Sequence, residues 1–306
     1  MRVLIATSEP WGTYHSRFVM PELIKRGIDA SHLIPDLENL AKPGFGRANE
    51  RIPVSVGLES ILTADLLVVN FLIPDSWPAK AAQIAWANGI PVVFSHLAYL
   101  GPKVPKSVNG PFCTITAPSI SDALDVANHL GVPLEQVNIV GTPALDQMPH
   151  YAPLAKRALI VTSVTGEISG ENLLLKSAHT LGQLGWDIHI ALHPREDRQL
   201  WSKFEISAVD TLIAAASAQV VVGIAGSIFP TLAALGVPLV RVANADLDKA
   251  IPTSILDLAT PIYSIEDIEG VVENPAKPTR EQIQYLVGPA NSATRRLVDL
   301  WVKSVE

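Results

Sequence analysis

Residues 219–242 read QVVVGIAGSIFPTLAALGVPLVRV. Residues 219–223 (QVVVG) are a mostly apolar run of strand length, 228–235 carry helical apolar spacing, and 238–242 (PLVRV) are mostly apolar again. Strands with one wet face alternate apolar and polar residues. A continuous apolar run on each side of a helix therefore predicts a parallel sheet covered on both faces. The same alternation extends outward in both directions. Upstream lie strands at 158–163 and 187–192, with helices near 171–184 and 210–217. Downstream, 261–263 reads as a strand, 266–272 as a helix, and a last helical stretch runs from about 291 to 305.

The first half follows the same rule. Strands are expected at 3–6, 65–71, 91–95, 112–116 and 137–140, and helices at 77–88 and 119–130. A helix from about 16 to 26 should stop at Gly27, since glycine reaches the left-handed conformation at low cost. Between 141 and 156 the pattern pauses in GTPALDQMPHYAPLAK, which carries three prolines and no period. The expected architecture is α/β: two Rossmann-like, doubly wound domains facing a cleft. Residues 1–142 form the first domain, 143–156 a linker, 157–285 the second domain, and 286–306 a C-terminal helix that crosses back to the first.

Composition excludes several classes. At 48% hydrophobic and 17% charged residues, the chain has ample apolar surface to offset chain entropy, so it is not a disordered polypeptide. Its net charge of −7 offers no basic footprint for nucleic acid. One cysteine, Cys113, excludes an intrachain disulfide and a thiolate metal cluster, and its apolar context reads as core. No apolar run approaches the ~18 residues of a membrane span, and the start lacks a secretory signal pattern. A cytoplasmic location is expected.

Candidate chemistry sits in loops that follow strands, because ligands of doubly wound sheets gather beyond the strands' carboxyl ends. In the loop TSEPWGTYHS (7–16), Gly12 permits close backbone approach, and His15 lies at or just before the helix start. A neutral imidazole there is suited to take a proton from a substrate hydroxyl. The plainer alternative is that His15 caps or packs. In His193-Pro194-Arg195-Glu196, Arg195 offers a planar fork for phosphate oxygens, against the alternative of a solvated turn. Gly226 and Ser227 offer backbone amides and a hydroxyl for a phosphate, or an ordinary N-cap. The loop SVTGEISG (163–170), with Thr165 and Gly166, is a third small, donor-rich loop in the same half.

The Gly/Pro-rich segments 41–53 and 97–111 are long enough to be functional, and the second should rim the cleft just after His96. The pair Asp246 and Asp248 reads as a solvated loop rather than a metal site. No Walker A, H-E-x-x-H, G-x-S-x-G or G-x-G-x-x-G pattern occurs at the expected places.

Four phrases together resemble the GT-B superfamily of glycosyltransferases, which includes the non-hydrolysing UDP-N-acetylglucosamine 2-epimerases. They are MRVLIATSEPWGTYHSRFVMPELIKRG, VGTPALD, ALHPRED and GIAGSIFPTLAALGVPLVRV. The resemblance implies a nucleotide-sugar donor held by Thr165, Gly166, His193, Arg195, Gly226 and Ser227. It also implies an acceptor cleft with Gly12, Tyr14 and His96, and His15 as the acceptor-activating base. It implies neither a metal nor a separate cofactor; the nucleotide sugar is the substrate. Two departures are visible. SIFPTLAALG carries no acidic residue where family members commonly hold the donor ribose with Glu, and TGEISGEN lacks the His-Arg-Arg of the epimerase phrase. An epimerase or hydrolase of nucleotide sugars, and a non-catalytic binding or scaffold protein, remain as alternatives. The acceptor and the oligomeric state stay unread.

Overall fold

The computed structural model describes residues 1–7, 10–36, 38, 53–70, 75–96, 110–163, 173–193, 196–243, 248–249 and 251–306, with backbone alone for 10–15. The chain divides into two compact units, Met1–Gln147 with Tyr285–Glu306, and Met148–Gln284.

The first unit runs β1 (Arg2–Ala6), α1 (Pro10–Lys25), β2 (Asp29–Ile34), β3 (Val54–Val56), β4 (Leu66–Val69), α2 (Trp77–Ala87), β5 (Val92–Ser95), β6 (Thr114–Ala117), α3 (Ile120–Leu130) and β7 (Val137–Ile139). Its seven strands lie in the order β3-β2-β1-β4-β5-β6-β7, every pairing parallel. Alternate residues leave opposite faces of a strand, so each apolar strand feeds two cores. Leu4, Ala6, Leu67, Val69 and Phe94 pack with α2 and α3 through Ala81, Ala85, Ala123 and Val126. On the other face, Val3, Ile5, Leu66, Val68 and Val93 pack with Val19, Met20 and Leu23 of α1.

The second unit runs β8 (Arg157–Val161), α4 (Leu173–Gln183), β9 (Asp187–Ala191), β10 (Glu205–Ile206), α5 (Thr211–Ala215), β11 (Val220–Gly223), α6 (Phe229–Leu235), β12 (Leu239–Val242), α7 (Thr253–Leu256), β13 (Thr260–Ile262) and α8 (Ile268–Glu273). Its sheet, β10-β9-β8-β11-β12-β13, is also wholly parallel. Helix α9 (Arg280–Val287) carries the chain across the division between the units, and α10 (Ala293–Lys303) completes the first unit. Leu297, Val298 and Trp301 of α10 lie in the same core as Val3 and Val68.

The return of the chain to the first unit is held by a close backbone approach and by side chains bonded to the backbone. Gly288 has φ +75°, and a Cβ there would come within 1.9 Å of the Pro118 carbonyl oxygen, so only glycine fits. Thr142 Oγ1 donates to the Val287 carbonyl at 3.1 Å. Asp146, in the 3-10 turn Pro143–Gln147, accepts from the amides of Ala293 and Thr294 at 3.0 and 2.7 Å, capping the start of α10. Arg296 ties Val140, Asn291 and Pro289 through their carbonyl oxygens.

Three details differ from the sequence reading. Helix α1 starts at Pro10 rather than near Ser16, so Gly12, Tyr14 and His15 lie within its first turns and not in a loop. A proline at the first helical position brings its φ preset and lacks an N–H that would have no helical partner there, while one glycine costs only about 1 kcal/mol relative to alanine. Cys113 is exposed and precedes β6, its Sγ donating to the Val92 carbonyl at 3.2 Å; it is not a core residue. Strands β2, β3 and β10 complete the sheets but carry polar residues or only two or three positions. No helix among the described residues is long and apolar enough to cross a membrane.

Candidate functional site

In each sheet the strand order reverses once, between β1 and β4 in the first and between β8 and β11 in the second. At such a point the connections leave in opposite directions and open a crevice beyond the carboxyl ends of the strands. Each unit is described here by itself.

At the carboxyl edge of the first sheet, the residues just past β4 and β5 are Asn70 and His96. Asn70 is 1% exposed, and neither its Oδ1 nor its Nδ2 has a hydrogen-bond partner. Burying such groups unpaired costs about 1–3 kcal/mol. His96 is fully buried, its ring stacked on Phe94 at 6.4 Å between centroids. Its Nε2 lies 3.4 Å from Asp122 Oδ1, an ionic contact longer than a good hydrogen bond, and neither ring nitrogen has a hydrogen-bond partner. Asp122, 4% exposed in the first turn of α3, is itself fixed by Ser119. The Ser119 hydroxyl donates to Asp122 Oδ2 at 2.5 Å and accepts from the Asp122 amide at 3.1 Å. Burial raises the Asp125 carboxyl above its ordinary value and the Asp122 charge adds to this, with His96 pulling the other way. Between β5 and β6, Thr116 Oγ1 donates to Ser95 Oγ at 3.1 Å, both residues fully buried.

His15 is the sixth residue of α1, which follows β1 at the reversal point. Gly12 and Tyr14 lie on the same helix. His96 follows β5, and β4 stands between β1 and β5 in the sheet. The segments expected to rim this edge, residues 41–53 and 97–111, fall almost wholly outside the described residues.

In the second unit, Thr165, Gly166 and Arg195 lie outside the described residues. His193, after β9, is fixed through its backbone: its amide donates to Thr162 Oγ1 at 2.7 Å, and its carbonyl accepts from the Glu196 amide at 3.0 Å. Glu196 is only 9% exposed, so the His-Pro-Arg-Glu phrase turns its acidic residue inward rather than to solvent. Gly226 and Ser227 follow β11, and the Gly226 carbonyl accepts from the Phe229 amide at 3.0 Å. Ser227 does not cap α6, because Ile228 holds the N-cap position without a side-chain cap bond. Among the described residues, a Cβ at Gly226 would meet only the Ile224 oxygen, at 3.9 Å. His193 and Gly226 flank the strand β8 from either side.

Asp248 does not stand in a purely solvated loop. Its Oδ2 accepts from Arg241 Nη1 at 2.7 Å, and Arg241, on β12, is 9% exposed. Sequence reasoning missed Arg241, Asp122, Ser119 and Asn70. An arginine inside an otherwise apolar strand was the available signal for the first, since arginine is seldom buried unless paired. Elsewhere, a shallow cavity of about 400 Å³ is lined by Arg198, Gln199, Ser202, Phe204 and Ile206, at the β10 edge and away from the reversal point.

No protein-family model matches the chain, and no curated protein matches it in sequence. Solved structures do match along the whole length. The UDP-GlcNAc 2-epimerase of Neisseria meningitidis bound to UDP-GlcNAc aligns with a TM-score of 0.60 at 12% identity, covering 99% of this chain and 100% of that one. MurG of Acinetobacter baumannii aligns at 0.59 with 16% identity over 99% of both chains. The spinosyn forosaminyltransferase SpnP aligns at 0.61 with 13% identity over 100% of both. The fold is GT-B. Within GT-B terms, the first unit is the N-terminal domain and the second the C-terminal domain. The alignments span nearly the whole of this chain and of the matched chains.

Proposed function

We propose that this GT-B protein is a glycosyltransferase that moves a sugar from a nucleotide-sugar donor to an acceptor hydroxyl without a metal. The observation that carries the reading is the full-length likeness to GT-B folds, and His96, His193, Gly226 and Ser227, which follow β5, β9 and β11, are consistent with it. The C-terminal domain would hold the donor. His193, after β9, and Gly226 and Ser227, after β11, would contribute from either side of β8, with Thr165, Gly166 and Arg195 added from the sequence reading. The guanidinium of Arg195 and the backbone amides near Gly226 and Ser227 would offset the charge of the departing diphosphate. His15 would take the acceptor proton as the hydroxyl oxygen attacks the anomeric carbon and the carbon–phosphate-oxygen bond breaks. Gly12, Tyr14 and His96 would contribute to the acceptor side.

The likeness to UDP-GlcNAc 2-epimerase supports a second reading, a nucleotide-sugar epimerase, which needs no acceptor. Product analysis after incubation with a panel of nucleotide sugars, with and without hydroxyl acceptors, separates the two. Transfer that depends on acceptor supports the first; an altered sugar without acceptor supports the second. His15→Ala should lower the transfer rate about 10²- to 10⁴-fold. An unchanged rate removes His15 from the scheme.

A further inference from the structure

The four residues of β12, Leu-Val-Arg-Val, are all buried. Val240 and Val242 join the core beneath α4 and α8, so Arg241 between them leaves the opposite face. In register, Arg241 stands beside Gly223 of β11 on one side and Pro261 of β13 on the other, neither of which brings a long side chain alongside it. The Gly223 position abuts Phe229 of α6, at 3.4 Å from where a Cβ would stand, which places Arg241 on the face that carries the Gly226–Ser227 loop and α6. On α6, which packs against β12, the Thr231 hydroxyl is also buried without a partner.

The guanidinium is used on one side only. Nη1 donates to Asp248 Oδ2, whereas Nε is buried with no hydrogen-bond partner. Nε together with Nη2 forms the edge that binds two oxygens of one anion, and among the described residues no hydrogen bond to this edge is found. Folding alone gives no reason for this arrangement, because an aliphatic residue in the slot would carry neither a buried charge nor an unused donor.

We propose that Arg241 is an oxyanion-binding residue of the C-terminal domain. Its Nε–Nη2 edge takes two oxygens of a phosphate group, and Asp248 is a resident counter-ion that weakens the anion it shares the guanidinium with. The inference rests on the donor assignment made above and adds a residue and an internal competitor to it. It makes two substitutions act in opposite directions, which a purely structural ion pair does not.

The test is calorimetric titration of the full chain with inorganic pyrophosphate, uridine diphosphate and uridine. Arg241→Met should weaken pyrophosphate and uridine diphosphate at least 10-fold, and Arg241→Lys should fall between it and the parent. Asp248→Asn should tighten both ligands several-fold, and uridine affinity should be the same in all four proteins. Far-UV circular dichroism and thermal melting check that each variant is folded. If Arg241→Met does not fold, the Asp248→Asn arm still decides: unchanged or weakened pyrophosphate binding overturns the proposal. Equal pyrophosphate affinity in folded Arg241→Met and the parent also overturns it, and leaves the donor reading intact. A parent chain that binds neither pyrophosphate nor uridine diphosphate overturns both.

Discussion

The two sheets share a strand order, with one reversal flanked by parallel strands on either side, yet their carboxyl edges carry different chemistry. The first presents neutral and acidic groups: Asn70, Ser95, Thr116, and a histidine held beside Asp122 and near Asp125. The second presents a buried arginine paired with Asp248, a buried Glu196, and a backbone-fixed turn at His193, so the contrast is between a histidine–carboxylate edge and an edge that also holds a guanidinium. Topology sets where side chains are displayed, and the residues displayed there decide which ligand is taken. The proposed role of Arg241 would make the second edge the one that takes an oxyanion.

The contrast can be broken at several strengths. The largest effect concerns the integrity of the first edge. Trp301→Ala removes a side chain 1% exposed in the core shared by α10 and β1, and should cost about 3–5 kcal/mol. Hydrogen exchange should show the loss in β1 and β4 while β8 and β11 keep their protection; equal loss in both sheets would mean that the units do not unfold separately. A smaller effect sharpens the chemistry of that edge. Asp122→Ala leaves His96 buried without its carboxylate and removes the reciprocal bond with Ser119, at an expected cost of about 1–3 kcal/mol by denaturant titration. Asp122→Asn should lose less, because its amide still bonds Ser119.

The smallest effect lies at the opposite, amino-terminal edge of the second sheet. Hydrogen bonding from His189, helped by Arg157, lowers the Asp187 carboxyl below its ordinary range, against the opposing effect of burial. A depressed folded-state value means that the stabilisation is present above the unfolded value and is lost as pH falls through the folded one. Half of the Asp187 side chain is exposed, so Asp187→Asn should remove well under ~1 kcal/mol near neutral pH. In acid, below the ordinary aspartate range, the parent and the variant should melt together.

Long apolar strands made most of both sheets legible, since a run such as Leu66–Val69 has few other uses. The strands that escaped notice are polar or very short. Asp29–Ile34 contains Ser31 and His32, which are buried because β1 and β3 flank them, a condition that no local pattern carries. The candidate site was legible one residue at a time and not in pairs. His96 stood out as the residue ending an apolar strand, but its partner Asp122 arrives on α3, after the intervening β6. Arg241 was absorbed into an apolar strand, and Asp248 into a loop, because the bond between them exists only once the chain after β12 has folded back.

The membership of α10 in the first unit has a consequence for biosynthesis. A ribosome delivers β1 to β7 first, but the face made by Val3, Ile5 and Val68 lacks Leu297, Val298 and Trp301 until the second unit has been made. The second unit, one continuous segment, has all its strands available before then. Domains ordinarily complete their folding in the order in which they are made. Here the half translated first is the half that closes last, and its apolar face must wait, shielded by α1 alone, while the whole second half is being synthesised.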